Sequence, residues 1–308
     1  MAATDTLAPP GRPAALPRAG GLRLAGIRHR AFPERPQPLI GYEAELAQEV
    51  LSAFGRGEEL PHFLSRTGNS FIAMSEALLD GWAAASAGLD TAPGFDAAPG
   101  FHAASELEAA PGFDTVLLAY RTPDLYYSEV AGCYLSDRLP GAPVPCSVAE
   151  QGPGAPFTAL RIADAMWRLG ELERGALFAY DQNGAAWDAD EARQSRPDAA
   201  ALIELGGAPV AGAARIAELT ETRAGDTGFP DPARVLEDTA ARHPGVRTLI
   251  GAELAAQLDM SGSDDLWGTA LWAALARLWP IREPVLLADF HGVGGVFYSC
   301  LLVPDAEA

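Results

Sequence analysis

The side chains that could carry covalent or proton-transfer chemistry are few in this chain, and most stand alone. Three cysteines occur, Cys133, Cys146 and Cys300, and five histidines, His29, His62, His102, His243 and His291. A cysteine nucleophile needs a base or a helix N-terminus to ionise it at neutral pH. Cys146, between Pro145 and Ser147, could be served in that way by His291. His291 enters a glycine-rich turn, His291-Gly292-Val293-Gly294-Gly295, two residues after Asp289. Side chains at i and i+2 of a strand share a face, so Asp289 could orient His291 as a general base. The competing reading is packing. Cys146 would then end a core strand, Cys133 and Cys300 would fill a helix and a terminal strand, and His291 would be a structural donor. The other four histidines fall in loop contexts, and neither HxxxH nor CxxC occurs, so no metal site is expected. Asp264-Asp265 reads as a helix cap and dipole partner. Glu150-Gln151-Gly152-Pro153-Gly154 opens a helix whose N–H groups could hold an anion, but Pro153 removes one donor. That stretch reads better as a plug of rigid, side-chain-poor backbone.

What is missing narrows the chemistry further. The 22 basic residues are all arginine. Without lysine there is no Schiff base and no Walker A phosphate site, and no cofactor is expected. A net charge of −19 repels nucleic acid and anionic membranes. No apolar run is long enough to span a bilayer. Residues 1–20 are rich in Ala and Pro, lack the apolar core of a signal peptide, and read as a disordered leader. An odd number of widely spaced cysteines makes no disulfide framework, so a cytoplasmic protein is expected.

The elements that must position these groups alternate. Strands are expected at 23–27, 116–119, 144–148, 177–180, 199–205, 215–219 and 247–250. Helices are expected at 42–54, 71–86, 157–169, 232–242 and 266–278. Pro284 to Leu302 reads as a hairpin at the end of the sheet. Asp164 and Arg168 form an i,i+4 pair on the charged stripe of the 157–169 helix. Three copies of A-P-G-F punctuate residues 91–114, and 91–112 is an expected surface insert. The 308 residues suffice for an α/β fold of two packed halves, 21–210 and 211–308.

Three stretches together resemble the thiolase superfamily, and within it the ketoacyl-ACP synthase III branch. They are Ala159-Leu160-Arg161-Ile162-Ala163-Asp164, Trp167-Arg168-Leu169-Gly170-Glu171, and the hairpin from Val285 to Val303. The resemblance implies a thiolase-like αβαβα layered fold of two duplicated halves that works as a dimer. It also implies a Cys/His/Asn site. The cysteine position counts to Pro153, give or take one residue; the histidine position to Gly251; the asparagine position to Asp265.

With all three positions vacant, the resemblance implies a catalytically silent ketosynthase-like subunit. Such a subunit, like the chain-length factors of type II polyketide synthases, pairs with an active thiolase-fold ketosynthase and shapes its acyl pocket. The implied interface is the strand 142–148 and the helix around 126–139, with Tyr120, Tyr126, Tyr127 and Tyr134 as suitable aromatics. An acyl carrier protein would need an arginine patch, for which Arg161, Arg168 and Arg174 are the nearest group. Two alternatives stay open: an active acyltransferase using Cys146 with His291, and a non-enzymatic homodimeric binding protein.

Overall fold

A computed structural model describes residues 20–32, 42–53, 55, 57, 68–86, 112–124, 126, 129–149, 151–182, 197–208, 211–223, 231–258 and 268–305. The leader up to residue 19, the insert up to residue 111, His62, His102, Tyr127, Asp264 and Asp265 lie outside the described residues.

The first half runs β1 (Arg23–Phe32), α1 (Tyr42–Ala53), α2 (Phe71–Ser86), β2 (Thr115–Tyr120), α3 (Ala131–Arg138) and β3 (Val144–Val148). A 3-10 turn at Gly152–Gly154 then leads into α4 (Ala155–Leu169), β4 (Arg174–Asp181) and β5 (Asp198–Gly206). The second half runs β6 (Ala214–Arg223), α5 (Pro232–Arg242), β7 (Arg247–Ile250), α6 (Ala252–Gln257), α7 (Ala270–Leu278), β8 (Val285–His291) and β9 (Val296–Pro304).

The nine strands lie in the order β3-β2-β4-β5-β1-β6-β9-β8-β7. Outward from the centre, β1-β5-β4-β2 and β6-β9-β8-β7 repeat one pattern. In each, the parallel pair lies outermost and the antiparallel pairs innermost. Arg23↔Arg215 and Leu24↔Ala214 join the halves across β1 and β6, and the Ile216 N–H donates to the Leu22 carbonyl at 2.9 Å. By this repeat α4 corresponds to α7. β3 has no counterpart among the described residues.

The layers follow from alternation along the strands. Leu117 and Ala119 of β2 and Leu287 of β8 face one shared core with Phe157 of α4 and Trp272 of α7, whose rings lie 5.7 Å apart. Val116 and Leu118 face the opposite way, onto Met74 and Leu78 of α2 and Leu135 of α3. Ala288 and Phe290 likewise cover Leu254 of α6 and Val235 of α5. Helices, sheet, α4 with α7, sheet and helices therefore stack as five layers. Strands covered on both faces explain the uninterrupted apolar runs.

Local chemistry sets the boundaries. Asp231 caps α5, accepting from the Ala233 N–H at 3.0 Å, with Pro232 at the first helical position. Gly170, at φ +73°, closes α4 in the left-handed conformation. The hairpin β8–β9 is interior, not at the end of the sheet, because the crossover from β7 through α6 and α7 lays β7 outside β8. β3 is the free edge of the sheet, with Val144, Pro145 and Ser147 exposed; it is not a core strand. Among the described residues no helix is long and apolar enough to cross a membrane.

Candidate functional site

The parallel strands of both halves point their C-terminal ends at one place, where α4 and α7 begin. Open α/β sheets bind ligands at such strand ends. The groups gathered here are the 3-10 turn before α4, Gly251 after β7, Gly268-Thr269 before α7, and the end of β8.

The turn offers little to a substrate. Gly152, Pro153 and Gly154 are all buried. The Gly154 N–H donates to the Gln151 carbonyl at 2.9 Å, and the Ala155 N–H to the Gly152 carbonyl. Pro153 and Pro156 carry no N–H. Two prolines and two internal bonds thus leave the first four backbone positions without a donor to spare. Gln151, which sequence reasoning read only as part of the turn, has its side-chain carbonyl held by the Thr158 hydroxyl at 2.5 Å. The space beside the turn is filled as well. A Cβ on Gly152, which sits at φ +52°, would meet the His291 ring at 2.8 Å; one on Gly154 would meet the Tyr298 ring at 2.2 Å. Glycine is required at both positions.

Gly251 stands where β7 ends, and the Asp289 side chain occupies the room a larger residue would need. A Cβ at Gly251 would lie 1.8 Å from Asp289 Oδ2. Asp289 is 1% exposed and accepts from the Phe290 N–H at 2.8 Å and the Leu254 N–H at 3.2 Å. Burial pushes its carboxyl up to about 7, against those two donors. Asp289 bonds to backbone N–H groups and His291 packs on Gly152 and Gly294, which does not favour the Asp289–His291 base reading over the structural one.

Across the mouth the halves are tied by charge. Arg121, just after β2, donates to Glu253 of α6 at 3.2 Å, and Glu253 also accepts from the Gly292 N–H at 3.4 Å. The Gly292 amide of the turn therefore faces a carboxylate. Asp181, ending β4, accepts from the Thr269 N–H at 3.4 Å, and burial raises its carboxyl. Pro153 Cα lies 3.9 Å from where a Cβ on Gly268 would sit.

Other expected sites fall elsewhere. Cys146 lies within β3, half-buried, in register with Leu117 and packed on the shared core, while His291 rests on Gly152. Cys300 is buried, and burial raises its thiol. Cys133 is exposed on α3 rather than packed, because α3 turns that face to solvent. His29 lies in β1, not in a loop, paired with Ala201; His243 meets Glu218 at 3.0 Å. Of the three arginines named for a carrier-protein patch, Arg174 is buried, while Arg161 and Arg168 are exposed on α4. Arg174 is buried against Glu204 at 2.8 Å, Arg168 pairs with Asp164 at 2.7 Å, and Arg161 pairs with Glu221. Three of the tyrosines are engaged within the chain. Tyr120 packs on Phe71, Tyr126 donates to the Gly68 carbonyl, and Tyr134 donates to Glu76 at 2.6 Å. Among the described residues no group of three His, Cys, Asp or Glu could hold a metal.

Solved structures share this architecture. OleA from Xanthomonas campestris superposes with a TM-score of 0.54 at 13% identity, over 92% of this chain and 98% of its own. The tetronic acid condensing enzyme AbyA1 gives 0.56 at 14%, over 91% and 99%. These are thiolase-fold enzymes. The chain has the thiolase fold. The acyltransferase ChlB3 agrees, at 0.53 and 15% identity over 94% and 99%. No family model and no curated protein matches the sequence. Pro153 lies beside Gly268 before α7, and Gly251 lies beside Asp289 of β8; Asp265 is outside the described residues.

Proposed function

We propose that this chain is a catalytically silent thiolase-fold subunit. It pairs with an active condensing partner and helps shape the acyl pocket in polyketide, fatty-acyl or other specialised-metabolite biosynthesis. The observation that carries the proposal is the state of the α4 N-terminus. Its backbone donors are absent or used internally, and two side chains, His291 and Tyr298, lie against Gly152 and Gly154. An acyl-transfer site needs a nucleophile and amides aimed at the developing oxyanion. This turn supplies neither. Asp289 against Gly251 and Glu253 on the Gly292 N–H support the same conclusion at the other end of the mouth.

The alternative, acyl transfer by Cys146 with His291, gains no support from a cysteine in the middle of β3 and a histidine seated on Gly152. Assays of the isolated chain with acyl-coenzyme A thioesters test the proposal. The expected result is no release of coenzyme A above the uncatalysed rate. Release that Cys146→Ala abolishes would overturn it.

A further inference from the structure

Two buried polar atoms in the first turn of α7 bond to nothing in the protein. Thr269 is 1% exposed and Trp272 fully buried, yet neither the Thr269 hydroxyl nor the Trp272 indole N–H has a hydrogen-bond partner. Buried polar groups left unpaired cost stability and are rare in folded proteins. Valine and phenylalanine would fill these two places without that cost, since Trp272 packs on Phe157 of α4 with the rings 5.7 Å apart. Thr269 is the N-cap residue of α7, but its side chain takes no helix N–H. The Asp181 carboxyl, reaching over from β4, caps instead. It accepts from the Gly268 and Thr269 N–H groups, the latter at 3.4 Å. The hydroxyl is left for another partner. Thr269 has helical dihedrals, φ −93° and ψ −7°, so Trp272, three residues on, shares its face. One small molecule can therefore touch both.

The groups define that molecule. An indole N–H only donates, which rules out a cation. An anion would compete with the Asp181 carboxyl, which already holds the amides at the start of α7. A neutral oxygen with protons of its own fits, because it can accept from the indole and also serve the hydroxyl and the carboxyl. We infer that the first turn of α7 binds an internal water, which accepts from Trp272, bonds the Thr269 hydroxyl and has Asp181 as its third partner. Buried waters ordinarily have about three such partners. Asp181 belongs to the first half and α7 to the second, so the water is a polar tie between the halves. The inference holds whether the chain is silent or active.

The test uses the full chain. In a water-selective NMR experiment, the Trp272 indole N–H should show a cross-relaxation peak to a long-lived water, and Trp272→Phe identifies that resonance. The peak should be lost in Thr269→Val and kept in Thr269→Ser. Thermal unfolding gives an independent reading. A hydroxyl without a partner, exchanged for a methyl, would raise Tm. A water-bonded hydroxyl, so exchanged, should lower it by about 2–4 °C. Absence of the water peak in the parent, or a Tm that holds or rises in Thr269→Val, overturns the inference.

Discussion

At the scale of single residues, the site is defined by side chains that occupy room left by glycine. Gly251→Ala would place a methyl 1.8 Å from a carboxylate oxygen that has nowhere to go. Thermal unfolding should show a loss of about 1–3 kcal/mol, and Asp289→Ala in the same chain should restore much of it. Asp289 also makes stability depend on pH. The folded protein holds this proton up to about pH 7, whereas the ordinary value is 3.8. Its contribution is therefore fully present below about pH 4 and is lost as pH rises through about 7. Asp289→Asn removes that dependence. Urea unfolding should show the parent losing up to about 4 kcal/mol relative to the variant across that window. A constant difference between the two proteins would show that Asp289 is not held neutral. None of this was legible in sequence, because it needs the register that sets Ile250 beside Ala288 and so Gly251 beside Asp289.

Individual elements are held by a few buried polar contacts. Arg174 at the start of β4 pairs with Glu204 of β5 at 2.8 Å, and its guanidinium lies 4.1 Å from the Phe113 ring centroid. Arg174→Met would take from buried Glu204 its hydrogen-bonded cation and leave only the charge of buried Arg28, an expected loss of about 1–3 kcal/mol in denaturant unfolding. Losing both charges together in Arg174→Met/Glu204→Leu should cost less. Asp124 performs a similar service for α2, accepting from the Phe71 N–H at 2.8 Å; Asp124→Ala should cost about 1 kcal/mol. Most elements could be read from the sequence where local signals were strong. Asp231-Pro232 and His243-Pro244-Gly245 bracket α5, and Gly170 stops α4. The placement of β3 and of the hairpin could not. Position in a sheet is set by crossovers between distant segments, and a five-residue run such as Val144–Val148 looks alike at an edge or in a core.

For the molecule as a whole, the repeat of strand order across the two halves is what makes the site. It brings α4 and α7, distant in sequence, to one mouth, and the pairs Arg121–Glu253 and Asp181–Thr269 tie the halves across it. The three stretches that carry the sequence resemblance lie in α4, its C-terminal turn and the hairpin, so they point to the fold. The resemblance did not anticipate how the mouth is closed. His291, for which base and structural donor were the two readings, packs on Gly152, and Asp289 fills the room at Gly251. The most direct measurement is intact-mass spectrometry of the chain after incubation with acyl-coenzyme A. The account predicts unmodified protein. A stable acyl adduct on Cys146, absent from Cys146→Ala, would contradict it.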